Sequence, residues 1–109
     1  MKQINIPHHL RLVIFQEAPG RWLARGLEHD IVAEARSIGE SVRAIVRLVD
    51  AHTAFDLRHQ HLPLSAFRPA PQKCWNSYTT GLRVPLTQLG IAPPQDWEIQ
   101  VAVSSRNPS

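Results

Sequence analysis

Hydrophobic and polar positions change their spacing three times along this chain. Residues 10–17, LRLVIFQE, are dense in branched and aromatic side chains and carry polar residues near both ends, the composition of a strand. Ala18-Pro19-Gly20 follows as a turn, because proline fixes one backbone angle and glycine frees the next. Residues 21–27, RWLARGL, resume as a second strand, so the pair reads as an antiparallel hairpin. Gly26 inside that strand points to a bulge or a close backbone approach. Residues 31–36, IVAEAR, form a third strand, with Ile31, Ala33 and Ala35 on one face and Val32, Glu34 and Arg36 on the other.

The period then lengthens. Ser37-Ile38-Gly39-Glu40 has the spacing of a capping box, with Ser37 as N-cap and Glu40 reaching back. Beyond it Ile38, Val42, Ile45 and Val49 recur at helical spacing, while Glu40, Arg43, Arg47 and Asp50 line the opposite side. This helix is expected to end near Phe55. After Arg58 the periodicity fades. Residues 62–71, LPLSAFRPAP, hold three prolines and should be extended. Residues 72–80 read as a short helix ended by Gly81, and 85–89 as a helical turn ended by Gly90. Pro93-Pro94 breaks the chain. Residues 97–103, WEIQVAV, alternate again as a final strand, and the last residues, SSRNPS, read as a frayed tail.

The expected fold class is therefore α+β: a small antiparallel sheet, built β-β-β-α with a later C-terminal β-strand, and one main helix packed on one face. Residues 1–109 form a single domain, with a core at 10–55, a proline-rich irregular segment with short helices at 56–96, and the strand at 97–103. At 109 residues such a chain can bury roughly two-thirds of its unfolded surface and needs no disulfide or metal to fold. Seven of the nine prolines lie beyond residue 60, which sets the two halves apart.

Composition narrows the setting. The single cysteine, Cys74, excludes an intrachain disulfide. MKQINIPHHL lacks the apolar core of a signal peptide, and the longest apolar runs, such as 12–15, are four residues. A soluble, cytoplasmic protein with no membrane partner is the expectation. The net charge of +3 and a pI near 9.8 permit contact with nucleic acid, though the arginines are scattered rather than blocked together.

The stretch WLARGLEHDIVAEARSIGESVRAIVRLV, residues 22–49, resembles the HicB-like antitoxin domain. Trp22 and Ala24 match its aromatic-led strand, Leu27-Glu28 its acidic bend, Ala35-Arg36-Ser37 the position where the family often has Gly-Asp-Thr, and residues 38–42 the helix start. The likeness covers about residues 10–55. It implies a small antiparallel sheet with a helix on one face, and a non-enzymatic domain that binds a protein. In that family the domain masks a small, basic, RNA-cleaving toxin. Carried over, this makes Glu28, Asp30 and Glu34 the partner-binding candidates. The chain departs from the family in its basic balance, in Ala35 where glycine is usual, and in a proline-rich second half where many members add a DNA-binding module. A homo-oligomer formed through the sheet or the 97–103 strand is the plainer version. The alternative is RNA binding by a basic stripe of Arg36, Arg43 and Arg47 at the helix start and on its exposed face.

Glu28-His29-Asp30 also has the residue types of a catalytic trio. Neighbours on an extended chain point to opposite sides, so His29 should diverge from the two carboxylates. His59-Gln60-His61 has the spacing of a metal pair, with His52 or Asp56 as a third ligand, but no second motif supports it. Nucleophile, P-loop and dinucleotide motifs are absent. No cofactor, metal or catalytic residue is expected.

Overall fold

The computed structural model describes residues 8–92 and 97–105. Pro93-Pro94 and the tail from residue 106 lie outside the described residues. The chain orders itself as β1 (His8–Ala18), β2 (Arg21–Gly26), β3 (Val32–Ala35), α1 (Ile38–Arg58), α2 (Gln72–Thr80), β4 (Leu82–Val84), a 3-10 turn (Leu86–Leu89) and β5 (Trp97–Val103). The five strands form one sheet in the order β3-β2-β1-β5-β4. The α+β class and the helix on the sheet are as expected. The sheet itself is mixed rather than antiparallel, because β5 runs parallel to β1 from His8↔Trp97 to Ile14↔Val103. The long excursion through α1 and α2 supplies the crossover that a parallel neighbour requires.

Alternation sorts the sheet into two cores. Leu10, Leu12 and Ile14 of β1, with Ala24, Ala33, Ile99 and Val101, face α1 and pack on Val42, Ile45, Val46 and Val49. Ala24 and Ala33 lie opposite each other in the β2–β3 ladder, and their small side chains let the helix approach. Each fully buried α1 side chain contributes about 1.5–3 kcal/mol. On the other face Val13 and Ala102 meet Cys74 and Tyr78 of α2, with Leu27 and Ala70 completing a second cluster.

Ser37 caps α1 as its spacing predicts: its Oγ accepts from the Glu40 amide at 3.1 Å. The reciprocal half of the box, a Glu40 carboxylate bonded back to the Ser37 amide, is not formed among the described residues. The helix runs to Arg58 rather than Phe55, and no residue after Val49 in it is buried. Residues 59–71 carry the chain from the end of α1, past the β2–β3 turn, to α2 on the opposite face. The Leu64 amide donates to Asp56 Oδ2 at 2.7 Å near the start of that passage, and at the β2–β3 turn the Asp30 amide donates to the Arg68 carbonyl at 2.7 Å and the Ala70 amide to the Leu27 carbonyl at 2.8 Å.

Candidate functional site

The β2–β3 turn holds the Glu28-His29-Asp30 candidates and disperses them. Glu28 reaches back to β1, where one carboxylate oxygen accepts from the Arg11 amide at 2.7 Å and the other lies 3.4 Å from the Arg11 guanidinium. Asp30 accepts a fork from Arg25, Nε to Oδ1 at 2.7 Å and Nη2 to Oδ2 at 2.9 Å. That bond raises the Arg25 pKa. His29 turns a third way, edge-on to Trp97 of β5 with ring centroids 6.2 Å apart, and its buried Nδ1 has no hydrogen-bond partner. Three neighbouring side chains thus serve three strands and do not converge.

Glu34 lies on the exposed side of β3, at the sheet edge. Arg21 holds it through Nε at 3.0 Å and Nη2 at 3.3 Å. The hydrogen bond from Arg21 and its charge keep the Glu34 carboxyl below the usual carboxylate range. Each acidic candidate therefore already carries an arginine of its own chain, with Glu34 the most accessible at 45% side-chain exposure. The basic candidates separate too. Arg43 donates to the Leu89 carbonyl at 3.0 Å and so ties α1 to the 3-10 turn. Arg36 and Arg47 are exposed and have no side-chain partner among the described residues. Glu40 and Asp50 are exposed on α1 alongside Arg43 and Arg47, so the stripe is mixed in sign.

The histidines make ring contacts instead of a metal cluster. His52 sits edge-on to Phe67 at 5.0 Å, and His59 lies 4.3 Å from the Phe55 ring. Among the described residues no three His, Cys, Asp or Glu side chains are placed to hold a metal ion. Cys74 is buried on the inner face of α2.

Two surfaces escape a linear reading. At the far end of α1, where the helix has no buried residue, Phe55, Leu57 and Leu62 are exposed by 50%, 62% and 78%. At the opposite edge of the sheet β4 stops after three residues, at Val84, because Pro85 has no amide with which to continue the ladder. A cleft of about 350 Å³ opens there against β5, between Val84, Leu86, Ile99 and Val101 on one lip and Arg83 and Gln100 on the other. The proline after LRV is the only sequence signal for it, and three residues are too few for alternation to reveal the strand.

Fold and surface together define a mixed-sheet α+β domain with a helix on each face and, among its described residues, no convergent set of reactive side chains. No family model, curated protein or solved structure matches the chain. No helix among the described residues is long and apolar enough to cross a membrane.

Proposed function

We propose that this chain is a non-enzymatic, HicB-like binding domain whose partner is a protein, a second copy of itself in the simplest case. The observation that carries this reading is the exposed apolar end of α1. A helix that continues for more than two turns past its last buried residue, with Phe55 and Leu57 in those turns and Leu62 just beyond, leaves apolar surface that burial against a partner would stabilise. The dispersal of Glu28, His29 and Asp30 supports binding over catalysis. If the partner is basic, its acidic contact is Glu34, because Glu28 and Asp30 are engaged in closing the turn.

RNA binding by Arg36, Arg43 and Arg47 is the second reading. The guanidiniums of Arg36 and Arg47, without a side-chain partner among the described residues, favour it; Glu40 and Asp50 nearby oppose it.

The test is recovery of the tagged chain from its host at low and high salt, with and without nuclease, together with light scattering of the purified protein. A stoichiometric protein retained through both treatments, or a defined oligomer, is the expected result. Nucleic acid released by salt, with a monomer left behind, would transfer the assignment to the arginines.

A further inference from the structure

The β4–β5 ladder ends at Val84 and Val101, beside the edge cleft. The Ser104 amide donates to the Ile14 carbonyl at 2.7 Å, toward β1. By the two-residue period of a strand, residues 98, 100 and 102 also turn their backbone groups to β1, and 99, 101 and 103 turn theirs to β4. The opposite side of β1 agrees, since the Arg11 carbonyl accepts from the Leu27 amide at 2.9 Å, away from β5. Val101 and Val103 pair with Val84 and Leu82. Ile99 comes next, beyond the point where β4 ends. Its side chain is buried, and β4 provides no ladder partner for its outward amide and carbonyl.

We propose that this cleft takes an extended peptide of a partner protein as an added strand, in line with β4 and paired to Ile99. The inference rests on the reading of the chain as a protein-binding domain. An exposed edge supplies main-chain hydrogen bonds, and flanking pockets select alternate side chains. Here the two lips differ in chemistry. Val84, Leu86, Ile99 and Val101 form an apolar lip on the α1 side of the sheet. On the α2 side the Arg83 guanidinium lies 3.7 Å over the Tyr78 ring, and the Tyr78 hydroxyl is 3.3 Å from Gln100 Oε1. Arg83 has no carboxylate partner among the described residues. A strand added here turns one side chain to the apolar lip and the next toward Arg83. The occupant is thus a segment alternating aliphatic and acidic residues. A second copy of β5 fits poorly, because Glu98 and Gln100 offer Arg83 only one acid, and that acid is already 3.4 Å from His9 Nδ1.

The experiment is selection of random dodecamers displayed on phage against the whole chain, followed by titration of the enriched sequence as a synthetic peptide into ¹⁵N-labelled protein. Enriched peptides are expected to alternate β-branched and acidic residues. Affinity should fall at least tenfold in Arg83→Glu, persist in Arg83→Lys, and be lost in Ile99→Pro, which removes the outward amide together with the buried Ile99 side chain. Should Ile99→Pro fail to fold by circular dichroism, Arg83→Glu, at an exposed residue, decides alone. The Ile99 amide should exchange quickly in the free protein and slowly with peptide bound. No enrichment, equal binding by Arg83→Glu, or an Ile99 amide already protected in the free protein would each overturn the proposal. A native partner held as tightly by Arg83→Glu as by the parent chain would overturn the cleft alone and leave the protein-binding reading standing.

Discussion

Arg25 and Asp30 close the β2–β3 turn with two nearly parallel hydrogen bonds, 2.7 and 2.9 Å long, between side chains that are each less than one-third exposed. The fork joins the end of one strand to the approach of the next, and the Asp30 amide carries the same turn to the 59–71 segment through Arg68. Asp30→Asn keeps the shape and removes the charge. It should destabilise the chain by about 1.5–3 kcal/mol, the range for a hydrogen bond to a charged group. Urea unfolding followed by circular dichroism measures this; a change under a few tenths of a kcal/mol would show that the turn closes without the fork.

Gly26 belongs to the same turn. A Cβ there would press into the His29 carbonyl oxygen and come within 3.1 Å of Ile31 Cγ2 and 3.3 Å of Leu10 Cδ1. The first of these is backbone and cannot swing aside. Gly26→Ala should therefore cost about 1–3 kcal/mol, the range for overpacking, even though alanine ordinarily favours the folded state over glycine. A midpoint shift to lower urea at unchanged slope is the expected signature.

The pH response of the sheet edge follows from Glu34. Arg21 lowers its pKa in the folded chain, so folding favours the ionised carboxylate. The stabilisation is present above the unfolded pKa and is lost as pH falls through the depressed folded one. Both groups are exposed and salt screens them, so the effect on stability is small. A carbon-detected titration reads it directly: the Glu34 carboxyl should titrate below the ordinary carboxylate range, and Arg21→Gln should return it there. An unchanged Glu34 titration in Arg21→Gln would remove the arginine as the cause.

Much of this arrangement was legible from residue order. The period of two in WEIQVAV, the period of three to four from Ile38 to Val49, and Ser37 three residues before Glu40 are local signals, and each became the element it implied. Non-local facts were not legible. Nothing in 97–103 states whether its neighbour is parallel or antiparallel, because the same alternation suits both; the crossover through two helices decides it. Glu28 finds its partner 17 residues earlier, at Arg11, and Glu34 finds its partner 13 residues earlier, at Arg21, so neither pairing has a sequence spacing to announce it. His29 does diverge from its neighbours, but in a turn rather than by strand alternation. Glu28 and Asp30, which alternation would place on one face, part as well. The contact of His29 with Trp97 had no signal in the sequence. The edge cleft depends on where a three-residue strand stops, a feature smaller than any hydrophobic period.

Two positions on α1 separate stability from binding. Ile45 is fully buried against the sheet, and Leu57, three turns further along the same helix, is 62% exposed. Ile45→Ala should cost about 2–4 kcal/mol, from lost transfer energy and the cavity left in a core that only partly collapses. Leu57→Ser should leave stability within about 0.5 kcal/mol, since it removes no buried contact. If α1's far end is the partner surface, the order reverses for association. Leu57→Ser together with Phe55→Ser should weaken self-association or partner retention at least tenfold, while Ile45→Ala should leave it unchanged at temperatures where the variant stays folded. Urea unfolding and light scattering on the same preparations measure both quantities. Retained association in the double serine variant would move the partner surface away from the helix and toward the strand edges of the sheet.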